Sequence, residues 1–176
     1  QYTRLHERIP EELSGIISAE GDRVRFIHLV AGHLILPALD KQAVLETIDP
    51  IEQLEILRQL LTRELEIMRI EAKLDQYGCF LLDGITGSGK TEVYLQAIEQ
   101  VLKQGKQVLI LVPEIGLTPQ TVHRFKYRFG IDVGILHSGL INNERLQVWQ
   151  QSAKGQLGII IGTRSAIFTP MLKPGL

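Results

Sequence analysis

The spacing of apolar positions changes once along the chain, near residue 76. Before that point, apolar residues recur at steps of three and four, as in Val24, Ile27, Val30 and Leu34, which is the spacing of one helix face. Beyond it lie four short apolar runs, at 79–82, 108–112, 133–136 and 157–161. Helical patterns fill the stretches 91–103, 119–129 and 143–153. Because apolar runs between helices are typical of strands buried on both faces, the pattern predicts an α/β fold, with a helical segment over 1–76 and a parallel sheet over 77–176.

Helix-capping residues divide the first 76 residues into four predicted helices. Pro10 suits a first helical position and opens a helix that should end near Gly21. Asp22 and Asp40 are the predicted N-caps of the second helix and of a third over 41–47. Asp49 is the predicted cap of the fourth.

The fourth helix has the strongest start signal and the widest apolar face. Pro50 follows the cap at the first helical position and Glu52 stands three residues after the cap, so we expect a helix that runs to Asp75. Its apolar positions form two adjacent stripes, one of Leu54, Leu57, Leu61, Leu65, Met68 and Ala72 and one of Ile56, Leu60, Ile67, Ile70 and Leu74. Such a face must be covered, either by the shorter helices in a bundle core or by a partner in a protein-binding seam.

Composition and charge narrow the class of protein. The chain is 44% hydrophobic and 22% charged, as in soluble globular proteins, and no apolar run approaches the ~20 residues that span a bilayer. Its single cysteine, Cys79, cannot close an internal disulfide, and residues 1–10 lack the apolar core of a signal peptide. We therefore expect a cytoplasmic protein with no membrane partner. The first residue is Gln1 rather than methionine, which suggests a fragment or a processed product.

The charge is unevenly distributed. Residues 1–76 carry nine Lys and Arg against fourteen Asp and Glu, whereas residues 77–176 carry ten against six. Because a basic surface attracts phosphates, we expect any contact with nucleic acid to lie in the second half.

The strongest chemical signal is a glycine-rich motif at 84–91. The residues Gly84-Ile85-Thr86-Gly87-Ser88-Gly89-Lys90-Thr91 fit the pattern G-x-x-x-x-G-K-[ST], between an apolar run and a helical stretch. In such a loop the backbone N–H groups surround phosphates, the lysine reaches the β- and γ-phosphates, and the hydroxyl of the last residue binds Mg²⁺. The motif predicts an ATP and Mg²⁺ site. Its binding residues are Gly84, Thr86, Gly87, Ser88, Gly89, Lys90 and Thr91; Lys90 and Thr91 are the catalytic residues and Thr91 is the metal ligand.

Hydrolysis needs a second acidic element that holds Mg²⁺ and positions water. No Asp-Glu pair follows any apolar run, and Glu114, just beyond the run 108–112, is a weak candidate.

Four stretches together resemble the PriA family of superfamily 2 DNA helicases. They are FLLDGITGSGKTEVYL at 80–95, VPEIGLTPQT at 112–121, LHSGL at 136–140 and IGTRSAIF at 161–168. The resemblance implies an incomplete first helicase lobe, with a RecA-like parallel sheet that binds ATP and contacts single-stranded or forked DNA. The DNA contacts that it implies are at Pro113, Glu114, Gly116, Gly162, Thr163, Arg164 and Ser165. Donors at 162–165 suit a grip on the phosphate backbone without base reading.

The family also has an Asp-Glu-Glu-His element, a second RecA-like lobe and a zinc region, none of which this sequence contains. We therefore do not expect the chain alone to hydrolyse ATP or to unwind DNA.

The first half resembles a different family, the N-terminal domain of Lon proteases, over about residues 9–75. The matching stretches are IPEEL at 9–13, LDKQAVLE at 39–46 and IEQLEIL at 51–57, with ELE at 64–66. That domain helps an ATP-dependent protease to select unfolded substrates and to assemble. The resemblance therefore implies, as an alternative function, binding of unfolded polypeptide or self-association through residues 1–76. A junction near 76–78 would make the chain a designed fusion, a gene-prediction artefact or a natural recombinant.

Overall fold

The computed structural model describes residues 20–34, 36–85 and 89–176. The helices are α1 (Arg23–His33), α2 (Ala38–Glu46), α3 (Pro50–Glu71), α4 (Lys90–Lys103), α5 (Pro119–Phe129) and α6 (Asn142–Ala153). The strands are β1 (Val108–Leu111), β2 (Val133–Leu136) and β3 (Ile159–Gly162), and two short 3₁₀ helices span Glu114–Gly116 and Arg164–Phe168. The predicted α/β class is confirmed. The helix predicted to open at Pro10 lies outside the described residues.

The three strands form a parallel sheet in the order β1-β3-β2. Val108 and Val133 both align with Ile159, and Leu111 and Leu136 both align with Gly162, so the carboxyl ends of all three strands lie at one edge. Residues 173–176 pair with the outer edge of β1. There the N–H of Gln107 donates to the Lys173 carbonyl at 2.7 Å, and that of Leu109 donates to the Leu176 carbonyl at 2.9 Å.

The chain folds as two compact units, Gln1–Ile70 with Leu81–Val93, and Glu71–Phe80 with Tyr94–Leu176. In the first unit, the core joins α1 and α2 to one face of α3. Its members are Ile27, Val30, Ala31, Leu34, Leu36, Val44, Leu57 and Leu60. The shorter helices therefore cover Leu57 and Leu60, which confirms the bundle-core interpretation for this part of the apolar face.

In the second unit, helices cover both faces of the sheet. Ile159 and Ile161 share a core with Ile98 of α4 and Phe125 of α5. Ile160, on the opposite face, packs in a smaller cluster with Leu136, Ala166 and Val148 of α6. This doubly covered sheet explains why β3 is an unbroken apolar run, since all of its residues are buried.

The capping signals predict most helix starts correctly. The Asp22 carboxylate accepts a hydrogen bond from the Arg25 N–H at 2.9 Å, and the Asp49 carboxylate accepts one from the Ile51 N–H at 3.0 Å. The cap predicted at Asp40 is wrong, because α2 begins at Ala38 after Pro37. Asp40 instead accepts a hydrogen bond from the Arg63 guanidinium of α3 at 2.5 Å. The long helix also ends at Glu71, before the predicted Asp75.

The strand predicted at 79–82 is the main error. Residues 77–85 have no regular secondary structure, and the Leu81 side chain is 91% exposed. The physical reason is that a strand exists only through its pairing, and this run joins no ladder in the part of the chain that the structure describes. Apolar composition alone does not supply a partner.

Candidate functional site

The glycine-rich loop leads directly into a helix, as the motif predicts. Gly89 has a φ of 87°, a conformation that glycine adopts far more readily than other residues, and α4 begins at the next residue. Gly84, at the start of the motif, has a φ of 153°. Lys90 and Thr91 therefore lie in the first turn of α4, where the positive end of the helix dipole favours an anion. Thr86, Gly87 and Ser88 lie outside the described residues.

The Lys90 ammonium lies against the backbone of its own loop. Its Nζ donates to the Gly84 carbonyl at 2.5 Å and to the Ile85 carbonyl at 2.7 Å. These acceptors are neutral, whereas phosphate oxygens are charged and form stronger bonds with an ammonium. The side chain is thus held at the loop by groups that an anionic ligand can replace.

A cavity of about 460 Å³ adjoins the loop within the first unit. Asp83, Gly84, Ile85 and Lys90 line one side of it, and polar residues of α3 line the other, among them Arg58 and Arg63. Arg63 also approaches Gly89, where a Cβ would lie 3.3 Å from the Arg63 Cδ. The motif does not predict this contribution of α3, because Arg58 and Arg63 read as surface positions of a helix.

Two of the residues that line this cavity, Glu55 and Arg58 of α3, form an ion pair. The Arg58 guanidinium binds both carboxylate oxygens of Glu55, at 2.6 and 2.9 Å, and the Gln59 amide donates to the same carboxylate at 3.1 Å. These hydrogen bonds, from Arg58 first and then from Gln59, lower the pKa of Glu55 to about 2. Glu55 is therefore ionised near neutral pH. Its negative charge offsets the positive charge of Arg58, with which it forms an ion pair.

The residues predicted to contact DNA meet at the carboxyl edge of the sheet. Pro113, Glu114 and Gly116 follow β1, and Gly162 to Ser165 lie at the end of the adjacent strand β3. The N–H of Val112 donates to the Gly162 carbonyl at 2.9 Å, which ties the two segments together.

The four residues of the segment 162–165 differ in their exposure to solvent. Arg164 and Ser165 are exposed, whereas Gly162 and Thr163 are buried. The Thr163 N–H donates to the Leu136 carbonyl at 3.0 Å and is thereby used inside the protein. The guanidinium of Arg164 and the hydroxyl of Ser165 are consequently the side-chain donors that 162–165 presents to solvent.

His137 follows β2 at the same edge. Its Nδ1 accepts a hydrogen bond from the Gly139 N–H at 3.1 Å. This is the geometry of a strand-end histidine that stabilises a turn.

The described residues lack two features, a metal-binding cluster and a membrane-spanning helix. They contain no group of three or more His, Cys, Asp or Glu side chains that could hold a metal ion. They also contain no helix whose length and apolar character would allow it to cross a bilayer.

Comparison with known proteins assigns the class. The family model of the DEAD/DEAH box helicases matches residues 53–175. The chain therefore belongs to the DEAD/DEAH box helicase family, and its sheet with helices on both faces is consistent with a RecA-like helicase lobe.

Within this class the chain is similar to replication restart protein PriA of several bacteria. It is 63% identical to the Haemophilus influenzae protein over 93 residues, which are 53% of this chain and 13% of that protein. It is 45% identical to the Chlamydia pneumoniae protein over 153 residues, covering 79% of this chain and 20% of that protein. It is 51% identical to the Bacillus subtilis protein over 102 residues, 58% of this chain and 13% of that protein.

The chain thus spans between 13% and 20% of the length of these relatives. Their match confirms the resemblance of the second half to the PriA family. The resemblance of the first half to Lon proteases has no support from them and stays a prediction.

Proposed function

We propose that this chain is the ATP-binding lobe of a PriA-like helicase that acts in replication restart in the cytoplasm. The observation that carries the proposal is the loop 84–91, with Gly89 at positive φ and Lys90 and Thr91 in the first turn of α4. The family match and the PriA relatives support it independently.

The residues at the loop suit Mg²⁺-ATP. The Lys90 ammonium can exchange the Gly84 and Ile85 carbonyls for phosphate oxygens, and the Thr91 hydroxyl can complete the shell of a Mg²⁺ ion that the phosphates also hold. The bound ion would neutralise charge on the phosphates.

The same proposal places single-stranded or forked DNA at the carboxyl edge of the sheet. Arg164 and Ser165 would hold the phosphate backbone, and the segment from Pro113 to Gly116 would lie beside the same strand of DNA. The mildly basic character of residues 77–176 supports this assignment.

Replacement of one lysine tests the ATP site. Lys90→Ala removes the cation from the phosphates, and because hydrogen bonds to charged groups contribute about 1.5–3 kcal/mol, we expect at least about a tenfold loss of affinity. The measurement is equilibrium binding of a fluorescent ATP analogue with Mg²⁺ present. Lys154→Ala, at the exposed end of α6, is the matched control. Equal affinity in the native chain and in Lys90→Ala would refute the proposed ATP site.

A second candidate function is assembly or binding of unfolded polypeptide through residues 1–76. The observation that favours it is a set of exposed apolar side chains between residues 39 and 54, namely Leu39, Leu45, Ile48, Ile51 and Leu54. We name this set the 39–54 patch.

A further inference from the structure

The 3₁₀ helix Arg164–Phe168 has one buried face and two exposed ones. A 3₁₀ helix has three residues per turn, so side chains three apart lie one above the other. Thr163, Ala166 and Thr169 form the buried face, with exposures of 4%, 1% and 7%. Arg164 lies in line with Ile167 on the second face, and Ser165 lies in line with Phe168 on the third.

Phe168 is the more exposed of the two apolar residues on these faces, at 76% against 58% for Ile167. The backbone on either side of Phe168 is nevertheless held by hydrogen bonds. The Thr169 N–H donates to the Ala166 carbonyl at 3.0 Å, and the buried hydroxyl of Ser152 donates to the Pro170 carbonyl at 2.7 Å. The turn is thus anchored on both sides of a phenyl ring that faces solvent.

The donors next to this ring suit a phosphate backbone. The hydroxyl of Ser165 shares its face, and the guanidinium of Arg164 begins the adjacent face. Proteins that bind single-stranded nucleic acid combine such cationic and polar contacts with aromatic side chains on which bases stack. We infer that Phe168 is a base-stacking residue for single-stranded DNA held by Arg164 and Ser165. This inference rests on the proposed DNA-strand site and adds to it a contact with the bases.

The spacing allows both contacts on one strand. Four residues of 3₁₀ helix rise by about 8 Å, between Arg164 and Phe168. Successive nucleotides in one strand of B-DNA are about 3.4 Å apart, so a base two or three nucleotides from the gripped phosphate reaches the ring. Stacking uses the π-face that all bases have, so the contact selects single strands over duplex rather than one sequence over another.

Four variants of the full chain test this inference: Phe168→Ala, Phe168→Trp, Ile167→Ala and Arg164→Ala. Each is titrated with two fluorescently labelled probes, an oligothymidylate and an abasic oligonucleotide of the same length. Ile167→Ala is the matched control, because it removes a neighbouring exposed apolar side chain that has no π-face. Thermal unfolding of each variant checks the fold.

We expect Phe168→Ala to weaken binding of the oligothymidylate by about 5- to 150-fold, which corresponds to about 1–3 kcal/mol for one stacked base, and to leave binding of the abasic probe unchanged. Phe168→Trp should preserve affinity, and Ile167→Ala should change neither probe. Arg164→Ala should weaken both probes and reduce the salt slope by about 0.7 for one lost phosphate contact.

The other outcomes separate the two ideas. If Arg164→Ala weakens binding and Phe168→Ala does not, the stacking inference is wrong while the DNA-strand site stands. If Ile167→Ala weakens both probes as much as Phe168→Ala does, the contact is a general apolar one and stacking is again excluded. If neither Arg164→Ala nor Phe168→Ala has an effect, the proposed DNA-strand site itself fails.

Discussion

Gly162 ends β3 at the point where the chain turns back on the sheet. A Cβ at this position would lie 2.4 Å from the Ala166 Cβ and 2.6 Å from the Leu136 carbonyl oxygen. Both are closer than non-bonded carbon contacts allow, and one of the two atoms is backbone, so neither neighbour can yield cheaply. The glycine of the predicted DNA-contact segment therefore has a packing role: it lets the 3₁₀ helix that carries Arg164 and Ser165 fold against the strand ends.

Gly162→Ala should therefore destabilise the protein. Overpacking in a well-packed region costs about 1–3 kcal/mol, and we expect a loss of this size in the free energy of unfolding measured with urea. Gly116→Ala is the matched control, because a Cβ there would find its nearest neighbours at 3.6 and 3.7 Å. If the two variants have the same free energy of unfolding, the turn after β3 accommodates the added Cβ without loss of stability, and the packing role of Gly162 is wrong.

At the scale of elements, one buried side chain joins three segments of the second unit. The Gln107 amide, just before β1, donates to the carbonyls of Ser152 at 3.0 Å and of Leu157 at 2.8 Å. Its carbonyl oxygen accepts from the N–H groups of Leu172 at 2.7 Å and Lys173 at 3.1 Å. Gln107 thus connects α6 and the approach to β3 with the segment that pairs along β1.

Gln107→Leu should loosen this junction, because it keeps the volume of the side chain and removes all four hydrogen bonds. Each buried group left unpaired costs about 1–3 kcal/mol, so we expect at least about 2 kcal/mol lower stability. Hydrogen exchange gives the sharper readout, since the amides of Leu172 and Lys173 should lose their protection. Gln104→Leu, at an exposed position after α4, is the control. Unchanged protection at both amides would contradict this account.

The elements also show where sequence patterns suffice. Asp22 and Asp49 mark helix starts correctly, because a cap acts on backbone groups a few residues away. The run 79–82 misleads, because strand formation depends on a partner that local composition does not specify. For the site, the helix that the motif predicts after the glycine-rich loop is present as α4, which begins at Lys90. The cavity side formed by Arg58 and Arg63 depends on packing of α3, which no local pattern encodes.

At the scale of the whole molecule, the 39–54 patch bears on the second candidate function. Its residues belong to α2, α3 and the connection between them, and the core of the first unit leaves them exposed. Exposed apolar side chains favour association when a complementary surface is available.

The second candidate function predicts that the chain sediments above its monomer mass of 19.8 kDa in analytical ultracentrifugation. The double variant Ile48→Lys/Ile51→Lys should return it to that mass, because a charge in an apolar interface lacks a partner. Tyr127→Lys, at an exposed site on α5, should leave the mass unchanged. A native chain that is monomeric at all concentrations removes self-association from the candidate functions.

The strand order has a consequence for biosynthesis. β3 lies between β1 and β2 but is made last, about 50 residues after β1 leaves the peptidyl-transferase centre. Translation proceeds at about 5–20 residues per second, so about 3–10 s pass between the synthesis of β1 and that of β3. During this time, the strand that pairs with β1 in the described sheet does not yet exist. A nascent chain of this protein therefore emerges with two short apolar strands that are not neighbours in the folded sheet, and chaperones that shield such segments would act in this interval.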